Sequence, residues 1–94
     1  MRQVEGFSES EIIEKFIEFQ IKERSDCEPF MRNLIKRKII TMPTMIQYCI
    51  VKSYDDYLRS NKGVIKETLF DLSIDYGLFH GHIRKIHKKY SRVF

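Results

Sequence analysis

KETLFDLSIDYGLFHGHIRKIHKKYSR, residues 66–92, decides the fold of this chain. It reads as a helix, a tight turn and a second helix. Leu69, Leu72, Ser73 and Tyr76 fall on one face at helical spacing. Gly77 ends that helix, because glycine enters the left-handed region without a steric cost. Leu78 plugs the corner. Ile83, Ile86 and Tyr90 then form the inner face of the second helix.

Two helices that cross steeply over a short turn need certain residues at set places. Ser73, four before Gly77, is small where the helices pass close together. Gly77 supplies the turn, and Leu72, Tyr76, Leu78, Ile83 and Ile86 supply apolar plugs on either side of it. All seven of these core positions carry a suitable residue. With DLSIDYGL followed by HIRKI, the segment resembles the helix-turn-helix superfamily of DNA-binding proteins, in particular bacterial and phage regulators and transposase or resolvase recognition domains. The resemblance covers about 25 of the 94 residues. One position departs from it. The residue after the Gly-Leu pair is usually a Ser or Thr that caps the recognition helix, and here it is Phe79, followed by His80 and Gly81. Phe79 is then either exposed toward a groove or folded back on the third helix.

The resemblance implies that the last helix lies in a major groove, with its N-terminal residues near base edges. Its base-contact candidates are Phe79, His80, Arg84 and Lys85. Arg84 suits a bidentate contact to guanine, with Lys85 next in line, and Phe79 suits a thymine methyl. His82, Lys88, Lys89 and Arg92 are the phosphate candidates, giving affinity without sequence information. The plain alternative for this segment is an αα-hairpin with a solvated basic face.

The rest of the chain is helical by the same reading. Ser8 and Glu11 fit a capping box ahead of a helix that runs to about Arg24, with Ile12, Ile13, Phe16, Ile17 and Ile21 at helical spacing. Pro29 suits the first turn of a second helix near 29–39. Thr41 or Thr44 caps a third, running from about 44 to 60 with the stripe Met45, Ile46, Cys49, Ile50, Tyr54, Tyr57 and Leu58. It stops in the cluster Ser60-Asn61-Lys62-Gly63. No segment sustains a period of two. The expectation is an all-α fold of about five helices in one domain, 1–94. Residues 1–42 are accessory N-terminal helices, and 43–94 form a three-helix helix-turn-helix unit.

Charge is distributed unevenly. Residues 1–28 hold four basic and eight acidic side chains, whereas residues 76–94 hold five basic and none acidic. An acidic start and a basic end suggest an anionic partner for the basic part. Lys36-Arg37-Lys38 either widens a phosphate footprint or solubilises its own helix. Cys27 and Cys49 lie far apart with no CxxC, and MRQVEGFSES carries no apolar run, so a reduced cytoplasmic protein is expected, nucleoid-associated when bound to DNA. No apolar stretch approaches the ~20 residues that span a bilayer.

His80-x-His82 with His87 lacks a nearby Cys or acid to complete a zinc site. No nucleophile–base set or Gly-rich phosphate loop marks an enzyme. The expected function is therefore sequence-specific binding of double-stranded DNA, as a small transcriptional regulator or a mobile-element or phage recognition protein. No catalysis, cofactor, metal, membrane or small-molecule substrate is expected. The wide apolar face of the first helix suggests a homodimer through residues 9–39. The alternative function is a protein–protein adaptor that uses the helical scaffold without binding DNA.

Overall fold

The Ser8 hydroxyl accepts from the Glu11 N–H at 3.2 Å, and the Glu11 carboxylate accepts from the Ser8 N–H at 2.7 Å. This closed capping box starts helix α1, Glu9–Glu23. Four more helices follow in the computed structural model, which describes residues 6–94: α2 Glu28–Lys36, α3 Met42–Ser60, α4 Ile65–Tyr76 and α5 His80–Tyr90. The described residues contain no strand.

Helix α3 is the hub. Its Met45, Cys49, Ile50 and Tyr54 are buried, and α1, α4 and α5 each pack on it. From α1 come Ile12, Phe16 and Ile17; from α4, Leu69, Leu72 and Tyr76; from α5, Ile83 and Ile86. Helices α3, α4 and α5 also pack pairwise, so the last three form a three-helix unit. The first helix shares that unit's core, because its apolar stripe is laid along α3. Helix α2 differs: it buries no residue and packs on α1 alone. Arg32 ties it there, reaching Glu14 at 2.9 Å and Glu28 at 2.8 Å. Hydrogen bonding from Arg32 holds the Glu14 carboxyl below its ordinary pKa.

Two helix ends differ from the sequence reading. Helix α2 stops at Lys36, three residues before the expected 39. Lys38 takes the left-handed conformation (φ 61°), its N–H donates to the Ile35 carbonyl at 3.0 Å, and the Ile39 N–H donates to the Leu34 carbonyl at 3.0 Å. That pair of bonds is a Schellman ending, formed here without the usual glycine. Helix α3 begins two residues early, at Met42, with Thr41 as its N-cap residue and Pro43 in the first turn.

Further contacts fix the frame around α4. The Asn61 amide at the end of α3 donates to the Tyr57 carbonyl (3.0 Å) and to Asp71 of α4 (3.1 Å). Tyr57 donates to Asp75. Burial, and after it this bond, raises the Tyr57 pKa above the ordinary phenol value. Before α1, the Phe7 N–H donates to the Asp75 carbonyl at 2.7 Å, and the Phe7 ring meets Tyr76 edge-on at 5.1 Å. Gly6 passes so close to α4 that a Cβ there would lie 2.9 Å from the Asp75 carbonyl oxygen. Gly6 and Phe7 are thus pinned to the last turn of α4.

Candidate nucleic-acid interface

The turn between α4 and α5 is made by Gly77, Leu78 and Phe79. Gly77 lies in the left-handed region (φ 67°, ψ 34°), and its N–H donates to the Ser73 carbonyl at 2.8 Å. Ser73 donates from its hydroxyl to the Leu78 carbonyl, joining α4 to the residue beyond the glycine. Leu72, Tyr76, Ile83 and Ile86 are buried, while Ser73 and Leu78 are half-buried at the corner and Gly77 is exposed. Thr68, fully buried on α4, also belongs to this inner face, although the sequence reading passed over it; its hydroxyl donates to the Val64 carbonyl at 2.9 Å. Replacing Ser73 with leucine removes the hydroxyl bond and crowds the corner. The expected cost is about 1–3 kcal/mol, visible as a lower thermal midpoint; an unchanged midpoint would count against this packing.

Phe79 is the N-cap residue of α5, in extended conformation, and its side chain makes no capping bond. The ring does not fold back on α3. It is 87% exposed. His80 beside it meets the Phe70 ring of α4 edge-on at 6.0 Å, and Phe70 is itself exposed. Gly81 follows in the first turn. A glycine at such a place costs roughly 0.5–1 kcal/mol relative to alanine.

Beyond Gly81 the outer surface of α5 is cationic. Arg84, Lys85, Lys88 and Lys89, and Arg92 in the turn just after the helix, are all exposed. Among the described residues none of the five forms an ion pair. The acidic helix α1 does not pack against α5. On α4, Asp71 and Asp75 are engaged by Asn61 and Tyr57 of α3, away from α5. Gly81, Arg84, Lys85, His87 and Lys88 of α5 line a shallow groove with Tyr54 of α3 and Ile65 of α4.

Not every sequence candidate falls on that face. His82 is exposed on the other flank of α5, in a small depression with Pro43, Ile46 and Leu78. His87, which the sequence reading left without a role, stacks on Tyr54 at 3.8 Å and 17°. Its spacing of four from buried Ile83 was the available signal. The three histidines therefore meet three different neighbours, and no cluster of metal-ligating side chains occurs among the described residues. No described helix is long and apolar enough to cross a membrane.

Comparison with known proteins gives no matching family model, no similar curated protein and no similar solved structure.

Proposed function

We propose that the protein binds double-stranded DNA through α5, as a small transcriptional regulator or as the DNA-recognition protein of a mobile element or phage. The observation that carries this reading is the outer face of α5, where four cations stand exposed and unpaired on a helix anchored from behind by Ile83 and Ile86, with Arg92 exposed in the turn just beyond it. A face of one sign with no covering element attracts a polyanion. The turn at Gly77 holds α5 against α4 and leaves Phe79, His80 and Gly81 at its N-terminal end exposed, as insertion into a major groove would need. Arg84 and Lys85, with His80 and Phe79 at the tip, are the base-contact residues; Lys88, Lys89 and Arg92 contact phosphates. His82 serves the same role only from the opposite flank.

The test is a mobility shift of the intact chain on random-sequence duplex DNA over a salt series. Binding at low salt with a log–log slope near −0.9 per neutralised phosphate is expected. Absence of binding at low salt would remove the DNA reading, and the adaptor reading, with exposed Phe70, Ile74 and Phe79 as its contact surface, would replace it.

The same proposal includes a homodimer, with its contact surface narrowed to α2 and the turn that ends it. Ile12, Phe16 and Ile17 of α1 are occupied by their own chain, whereas Phe30 and Ile39 are 62% and 63% exposed. Pairing through α2 leaves both α5 faces open, so that two copies can meet successive major grooves about 34 Å apart. Sedimentation at high micromolar concentration is expected to show a dimer, and Phe30→Ser to shift it toward monomer. A monomer in the unsubstituted protein would remove this part.

A further inference from the structure

Four glycines occur in the chain, and three have a reason in the fold. Gly63 and Gly77 lie in the left-handed region, with φ of 84° and 67°. Gly6 passes too close to the Asp75 carbonyl to carry a side chain. Gly81 has neither reason. Its backbone is ordinary right-handed helix, and a Cβ built on it would meet nothing within 4 Å. Glycine is nevertheless the poorest residue for a helix apart from proline. Two positions earlier, Phe79 occupies a cap where Ser, Thr, Asp or Asn would satisfy a free N–H, and it leaves an aromatic ring in water. Two departures from local rules thus lie within three residues, and no contact in the fold compensates them. Such uncompensated departures belong to functional surfaces.

Gly81 also stands within the cationic groove, beside Arg84, Lys85 and Lys88. We propose that Gly81 is a clearance point: when α5 binds, an edge of the DNA groove comes into van der Waals contact with the helix backbone at Gly81, and Phe79 is covered in the same step. This inference rests on the DNA reading and adds to it a steric determinant of how deeply α5 enters. A side chain at residue 81 holds the helix away from the groove by its own thickness, although it stabilises the free protein.

Gly81→Ala and Gly81→Leu separate these effects, because stability and binding move in opposite directions. Gly81→Ala is expected to raise the thermal midpoint by roughly 2–8 °C. It is expected to weaken binding to a duplex selected by the unsubstituted protein by roughly tenfold or more, with a larger loss for Gly81→Leu. The salt slope is expected to stay unchanged, since every cation remains. Unchanged affinity in both variants overturns the clearance and leaves the DNA reading standing. A weaker affinity accompanied by a shallower salt slope also overturns it, because the loss would then come from displaced cations. If the unsubstituted protein binds no duplex at low salt, both readings fall together.

Discussion

Leu72→Ala is expected to destabilise the protein by about 2–5 kcal/mol, and Ile83→Ala by a similar amount. Both side chains are fully buried, one on α4 and one on α5, in the cluster organised by α3. Truncation loses the transfer energy of the removed carbons and leaves a cavity that the surrounding helices fill only in part. A domain's whole stability is about 5–15 kcal/mol, so either variant removes a large share of it. Lys88→Ala provides the contrast. It changes an exposed side chain without an ion pair and is expected to stay within about 0.5 kcal/mol of the parent. Urea midpoints of the three variants test the comparison. A loss under about 1 kcal/mol for both core variants would mean that α4 and α5 are not packed on α3 as described.

The second large effect lies in binding, and it differs among the cations of α5. With three phosphates neutralised, by Lys88, Lys89 and Arg92, raising salt from about 50 to 200 mM is expected to weaken binding roughly 40-fold. Arg84→Ala is expected to cost about 1–3 kcal/mol on the preferred sequence and to relax preference at one base pair. Lys88→Ala or Lys89→Ala is expected to weaken all sequences alike and to reduce the salt slope by about one. The contrast follows from position. Arg84 lies one turn from the exposed tip, beside Gly81 and Lys85, whereas Lys88 and Lys89 lie in the last turn. Lys85 is the next residue to test if Arg84→Ala affects all sequences evenly. Binding that all three substitutions leave untouched would remove α5 as the contact surface.

Helix number, order and inner faces were legible in the sequence because they follow from local rules. The Ser8–Glu11 box, the prolines near the starts of α2 and α3, and Gly77 after α4 each act within a few residues of themselves. The early end of α2 was not legible, because the left-handed residue is Lys38, and lysine carries no stop signal. The docking of Phe7 on Asp75 and Tyr76 joins residues remote in sequence, and nothing local to either end announces it. The aromatic contact of Phe94 with Tyr48 was hidden for the same reason. Helical spacing sets the cations at 84, 85, 88 and 89 opposite Ile83 and Ile86 on α5, with Arg92 in the turn just beyond. What spacing alone did not resolve was which flank each side chain takes, and so His82 and His87 emerged only from the packing of α5 on α3.

The two thiols also make the protein its own reporter. Cys49 is fully enclosed, its Sγ lies 4.0 Å from the Ile12 carbonyl, and burial pushes its pKa up to about 12. Cys27 is half-buried at the start of α2, on an element that does not pack against α5. An alkylating probe therefore meets one accessible sulfur in the folded state. A dye attached there would tumble with the protein and leave the cationic helix bare, ready for anisotropy titrations. The second sulfur becomes reactive only when the core around α3 opens. Its slow labelling would time the opening of the core in plain buffer, with no denaturant present.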